Sequence, residues 1–165
     1  MTFVSIGNAK QVFPRLLNEV AMIASRLPQP VIVQHGHTPF ECSVCKAKAF
    51  MKMEEFAEHV RDASLLIMHA GAGSIINAIE SGKVPVVMPR RVSLGEHIND
   101  HQVEFAEALA KAGRVIMAET GELKGAVAKA LSVKGDEKLR DRNSAMLSLV
   151  RNKLEEIASR IEIGR

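Results

Sequence analysis

Short apolar runs alternate along this chain with stretches whose apolar residues recur every three or four positions, and each run ends on a polar or glycine-bearing break. Continuous apolar runs of four to eight residues fit buried strands, whereas the three-and-four spacing marks one face of a helix. Residues 2–6 therefore predict a strand, Gly7-Asn8 a turn, and 13–26 a helix with Leu16, Leu17, Val20 and Ile23 on one face. Val31-Ile32-Val33-Gln34 predicts a second strand, a third is expected near Ala49-Phe50-Met51, and a short helix over 54–62 follows. Leu65-Leu66-Ile67-Met68 reads as a buried strand that stops at His69-Ala70-Gly71-Ala72-Gly73-Ser74. A helical pattern then begins at Ile75, Ile76 and Ile79 and ends near Gly82, before the strand Val84-Pro85-Val86-Val87-Met88. Beyond a polar run, 99–112 places Val103, Ala106, Leu109 and Ala110 on one helical face, Gly113 stops that helix, and Val115-Ile116-Met117 gives one more strand.

Strands alternating with helices predict an α/β, Rossmann-like domain: a mostly parallel sheet, helices on both faces, right-handed crossovers. The expected division is a domain over 1–135 and a C-terminal amphipathic helix over 136–165. In that helix Leu147, Val150, Leu154, Ile157 and Ile161 form a stripe between charged residues. Such a stripe packs on its own domain or on a partner chain, and a homodimer of the isolated chain is left open.

Composition narrows the classes. At 165 residues the chain can bury a core without a disulfide or metal staple. Aromatics make up 4% of it, with no Trp or Tyr, which leaves few stacking platforms and disfavours nucleic acid as a partner. The net charge of +3 is spread among acids rather than gathered into an arm. No apolar run approaches a membrane span and no signal-like start is visible, so a cytoplasmic protein is expected, held at the membrane only through a partner. Cys42 and Cys45 lack a second ligand pair at zinc-like spacing and read as incidental thiols.

Two consecutive strands deliver polar residues at their carboxyl ends, where open α/β sheets bind ligands. Gly71 and Gly73 allow close approach to backbone amides, and the following helix aims its positive end at the same place, which suits a phosphate. The spacing is neither the dinucleotide fingerprint nor a P-loop, so a purely structural turn fits it equally well. After Met88, residues Arg90, Arg91, Glu96, His97, Asp100, His101 and Gln102 crowd one loop and the next helix start. A zinc site from His69, His97 and His101 is disfavoured because they lack paired-ligand spacing on one helix.

The block His69-Ala70-Gly71-Ala72-Gly73-Ser74, with Gly82-Lys83, Pro89-Arg90, Gly95-Glu96-His97 and Asp100-His101-Gln102, resembles the C-terminal, donor-binding half of glycosyltransferase family 28. The likeness extends over about residues 2–117 and is strongest to small catalytic subunits of two-part transferases, both the bacterial exopolysaccharide type and the eukaryotic dolichol-pathway type. It implies the C-terminal half of a GT-B fold. It also implies an inverting, metal-independent hexosyl transfer from a UDP-sugar to a lipid-linked or polysaccharide acceptor, with no cofactor. By the same resemblance, Gly7, Asn8, Gly71, Ala72, Gly73 and Ser74 lie near the diphosphate with Arg90 and Arg91. Phe50 and Met51 lie near the uracil, His101 and Gln102 near the sugar, and His69, Glu96 and His97 are the catalytic candidates. The family usually has a carboxylate for the ribose where this chain has Asn77, which loses charge-assisted strength. A membrane-anchored subunit is expected to bring the acceptor. A non-catalytic nucleotide-sugar module is the alternative, and a UDP-sugar epimerase is disfavoured because those enzymes close two similar domains over the ligand.

Overall fold

The computed structural model describes residues 1–132. Six parallel strands form one sheet: β1 (Thr2–Ser5), β2 (Val31–Gln34), β3 (Cys45–Lys48), β4 (Leu65–His69), β5 (Val86–Met88) and β6 (Ile116–Met117). Their order is β3-β2-β1-β4-β5-β6, the doubly wound arrangement whose direction of winding reverses between β1 and β4. Four α-helices lie between strands, α1 (Pro14–Ile23), α2 (Met53–Asp62), α3 (Ala72–Glu80) and α4 (His101–Lys111), and α5 (Leu123–Ser132) follows β6.

Strand alternation divides the core into two halves. Phe3, Leu66, Met68 and Val87 face α2, α3 and α4, meeting Phe56, Val60, Ile75, Ile79, Phe105 and Leu109. Their neighbours Val4, Ile67, Val86 and Met88 face the other way, against Leu16, Leu17 and Val20 of α1 and Leu123 and Val127 of α5. The expected helices on both faces are therefore present, and nearly continuous apolar strands are what a sheet buried on both sides requires.

Three local expectations need correction. The third strand is Cys45–Lys48, and 49–51 is the connection leading into α2. Among the described residues β3 is an edge strand paired with β2 alone, and it carries exposed lysines in place of an apolar run, a common protection for a sheet edge. The helix after β4 starts at Ala72, so Ala72, Gly73 and Ser74 form its first turn. Finally, α5 has no counterpart in the sequence reading. Its amino end is capped from a distance: Glu19 of α1, itself buried, accepts from Gly121 N–H at 2.7 Å and Leu123 N–H at 3.2 Å.

α4 ends as expected at Gly113, where φ is +69°. Gly113 N–H donates to the Ala110 carbonyl and Arg114 N–H to the Leu109 carbonyl, the paired bonds of a Schellman stop. Among the described residues no helix is long and apolar enough to cross a membrane. The amphipathic stripe expected over 136–165 lies outside the described residues.

Candidate functional site

A cavity of about 190 Å³ opens at the carboxyl ends of β1, β2 and β4, beside the point where the strand order reverses. One wall is polar and built from strand ends. Ser5 Oγ donates to Gln34 Oε1 at 2.7 Å and accepts from Gly7 N–H at 3.3 Å, and Gln34 Nε2 donates to Asn8 Oδ1 at 3.0 Å. These bonds fix the loop after β1 against the end of β2. The opposite wall is the first two turns of α3, with Gly73, Ser74 and Asn77, and Met51, Met53 and Phe56 supply an apolar part of the lining.

α3 begins without a side-chain cap. Its first-turn amides lack intrahelical partners, so they and the positive end of the helix dipole are available at the cavity. A Cβ on Gly73 would meet nothing within 4 Å, so a side chain there would project into open space beside the cavity. Asn77 Nδ2 donates to the Gly73 carbonyl at 2.9 Å, leaving Oδ1 to accept from a ligand hydroxyl.

His69 ends β4 beneath this cavity. A Cβ on Gly7 would lie 2.6 Å from its imidazole, and one on Gly71 would overlap Nε2. Gly71 itself has ordinary extended backbone, φ −77° and ψ 129°. Glycine is needed there for space beside the ring. Nδ1 lies 3.4 Å from the Ser5 carbonyl oxygen. Since a carbonyl only accepts, this contact keeps the proton on Nδ1 and Nε2 unprotonated. Burial, then the positive charge of Arg90, pushes the imidazole down to about 4, so it is neutral near pH 7.

The two arginines expected beside the diphosphate are engaged elsewhere. Arg90 is fully buried, donating from Nη1 to the carbonyls of Gln11 (2.7 Å) and Glu96 (3.0 Å) and from Nη2 to that of Ile6 (2.8 Å), with its guanidinium 4.8 Å above the Phe13 ring. Arg91 pairs with Glu119 at 2.7 Å. Glu96, expected among the catalytic groups, is buried and spent: Arg15 donates to both carboxylate oxygens, at 3.0 and 2.8 Å, and Arg91 N–H to Oε2 at 3.0 Å. Together Arg90, Arg15 and Glu96 clamp the loop after β1 to the loop after β5. Arg15 and Glu96 satisfy one another and Arg90 satisfies backbone carbonyls through both terminal nitrogens, although its Nε is buried without a partner; a buried ion without such partners would cost several kcal/mol.

Of the other expected residues, Gly7, Asn8, Met51, Gly73, Ser74 and Asn77 line the cavity. Phe50 sits edge-on to His37, ring centroids 5.0 Å apart, and is substantially exposed. His97 is held through Nδ1 at 3.1 Å from the Asn99 carbonyl. Gln102 Oε1 accepts from Arg90 N–H at 3.2 Å, and His101 Nδ1 at the start of α4 is buried without a partner. Ser5, Gln34, Met53 and Phe56 were not anticipated. For Ser5 and Gln34 a signal exists, a polar residue closing an otherwise apolar strand. Among the described residues no three His, Cys, Asp or Glu side chains converge as a metal-binding group.

The family model described as "Glycosyltransferase family 28 C-terminal domain" matches residues 7–161. Among curated proteins, the chain is 34% identical over 77 residues to the human UDP-N-acetylglucosamine transferase subunit ALG13, a match covering 47% of this chain and 6% of that protein. To the subunit of the same name from Yarrowia lipolytica it is 35% identical over 66 residues, covering 40% of this chain and 32% of that one. The matched region is thus less than a third of either relative's length. Among solved structures, the glycotransferase of kitacinnamycin superposes with a TM-score of 0.66 at 20% identity, over 92% of this chain and 39% of that one. The glycosyltransferase SnogD from Streptomyces nogalater gives 0.57 at 16% identity, over 95% and 43%. At these identities the structures speak to the fold.

Proposed function

The chain belongs to glycosyltransferase family 28 through its C-terminal domain, and from that premise we propose that the cleft beside α3 takes the UDP-sugar donor of an inverting, metal-independent hexosyl transfer. The observation that carries this reading is the uncapped amino end of α3, which opens on a cavity whose described lining includes no carboxylate. Such a site stabilises an anion through amides and a helix dipole.

In this reading the diphosphate sits against the amides of Ala72, Gly73 and Ser74 and the Gly7-Asn8 loop, the uracil near Met51, and a ribose hydroxyl at Asn77 Oδ1. His101 and the free amide of Gln102 face the hexose. The acceptor hydroxyl attacks the anomeric carbon from the side opposite the diphosphate, the bond to the diphosphate oxygen breaks, and UDP departs. Charge growing on that oxygen is stabilised by amide donors already in place, the arrangement in which electrostatic catalysis is strongest. Arg90 and Arg91, being committed elsewhere, act on the loops and leave the anion to the amides. His69, neutral, supports the glycine loops and can accept through Nε2.

The acceptor, a lipid-linked or polysaccharide sugar, and the base that takes its proton are assigned to a membrane-anchored partner. Support comes from the curated relatives, which are named as subunits of a UDP-N-acetylglucosamine transferase. UDP-N-acetylglucosamine is accordingly the first donor to test. Asn77, where the family places a carboxylate, favours one other reading, a nucleotide-sugar module without turnover.

Calorimetric titration of the chain with UDP and UDP-N-acetylglucosamine, with and without a chelator, tests the donor site. Binding of equal strength in both conditions is expected. A strict requirement for Mg²⁺ or Mn²⁺ would overturn the metal-independent reading, and saturable binding without sugar transfer in the reconstituted pair would favour the module.

A further inference from the structure

Cys42 and Cys45 stand apart from the cleft. Cys45 opens β3, at the amino end of the strands, whereas the cleft lies at their carboxyl ends. Residues 42–45 form a turn closed by Cys45 N–H donating to the Cys42 carbonyl at 3.1 Å. A turn of this kind holds its first and last Cα within about 7 Å, and a disulfide spans Cα separations of roughly 4.4–6.8 Å. The backbone is therefore already spaced for a bridge. The two sulfurs lie 2.9 Å apart, with the Cys45 thiol donating to the Cys42 sulfur. Both are free thiols, half-buried, flanking the exposed Ser43 and Val44.

The two sulfurs are not equivalent. Cys45 packs partly against the α1-side core. Burial, and next the bond to Cys42, pushes its thiol up to about 12, so it keeps its proton. That proton points at Cys42, which lies outside the core cluster and is the sulfur left to meet a disulfide.

We infer that Cys42 and Cys45 are a reversible thiol–disulfide pair that exchanges with small disulfides of the glutathione class, Cys42 being the attacking sulfur. The Cys42 thiolate attacks one sulfur of oxidised glutathione, forming a mixed disulfide and releasing one glutathione thiolate. Cys45 then loses its proton to solvent and attacks the Cys42 sulfur, forming the internal bridge and releasing the second glutathione. Two protein thiols are oxidised, and one glutathione disulfide is reduced to two thiols. A bridge closing so short a loop adds little stability. The pair thus suits exchange better than stapling, whatever ligand the cleft takes.

The test incubates the full chain in a glutathione redox series, quenches it by alkylation, and weighs the peptides spanning residues 42–45. In the unaltered chain an internal bridge should form and be reversed by dithiothreitol. Cys45→Ser should accumulate a glutathione adduct on Cys42, while Cys42→Ser should leave Cys45 reacting on the order of tenfold more slowly. Thermal midpoints matching the unaltered chain would confirm that both variants are folded. Persistence of two free thiols, or of glutathione adducts without a bridge, in millimolar oxidised glutathione would overturn the inference. Equal reaction rates of the two single variants would overturn the assignment of Cys42.

Discussion

A methyl group added at Gly71 would overlap Nε2 of His69, whereas one added at Gly73 would project into open space. The two glycines, a residue apart in one motif, therefore do different work. Gly71→Ala should cost the fold about 1–3 kcal/mol, the usual range for overpacking a filled site, and lower the thermal midpoint. Gly73→Val should leave the midpoint near that of the unaltered chain, because valine is no worse than glycine in a helix. It should nevertheless abolish UDP binding in calorimetry by covering the first-turn amides. A folded Gly73→Val chain that binds UDP normally would remove α3 from the anion site. His69 adds a dependence on pH. Its folded value, about 4, lies below the ordinary imidazole value near 6.5, so the folded state resists the proton that the unfolded chain accepts. The associated stability is complete above about pH 6.5 and is lost as pH falls through 4. Between pH 7 and pH 4.5 the loss should be on the order of 2–3 kcal/mol. Urea titrations at both values should show a shallower decline for His69→Gln than for the unaltered chain.

Between elements, the clamp after β1 and β5 has the fully buried Arg90 guanidinium at its centre. Replacing Arg90 with Met keeps volume but strips donors from the carbonyls of Ile6, Gln11 and Glu96. With each abandoned acceptor costing about 1–3 kcal/mol, a loss of at least roughly 3 kcal/mol in denaturant titrations is expected. Lys should recover part of it. Arg90 also marks how far local pattern could lead. Its place in a polar loop after a strand suggested an anion ligand, and only the three-dimensional paths of residues 6–11 and of the loop to Glu96 reveal the carbonyls that claim it. The strands β1, β2, β4 and β5 were readable because burial on both faces forces apolar runs. β3 was misplaced because an edge strand is under no such demand. α5 was missed for another reason: its amino-end cap comes from Glu19, 102 residues before Gly121, and no local pattern records that. The cavity was readable at α3, where glycines and a helix start coincide, whereas Ser5 and Gln34 offer only a polar residue closing each strand, and the parallel register is what brings the two together.

At the scale of the whole molecule, large apolar side chains stand exposed beside the cleft at the sheet's carboxyl edge. Met53 at the cavity mouth is 72% exposed, and Ile98, in the loop leading to His101, is 78% exposed. Exposed apolar groups beside a ligand site are common where a second surface closes over it. The curated relatives carry the name of a transferase subunit. Sugar transfer should therefore require both this chain and an acceptor-binding partner, whereas UDP binding should require this chain alone. A charge at the mouth should separate the two steps. Ile98→Glu should leave UDP affinity within about twofold, since residue 98 is not among the groups lining the cavity. It should lower co-purification with the partner, and transfer with it, by on the order of tenfold, the consequence of burying an unpaired charge in an apolar contact. The candidate pair, reconstituted with a lipid-linked acceptor and UDP-N-acetylglucosamine, supplies the assay, and His101→Ala in the same assay probes the hexose. That variant should weaken UDP-N-acetylglucosamine more than UDP, by roughly 1 kcal/mol for each lost hydrogen bond. Robust transfer by this chain alone, or an Ile98→Glu chain that associates and transfers normally, would remove the partner from the mechanism and this edge from its docking surface.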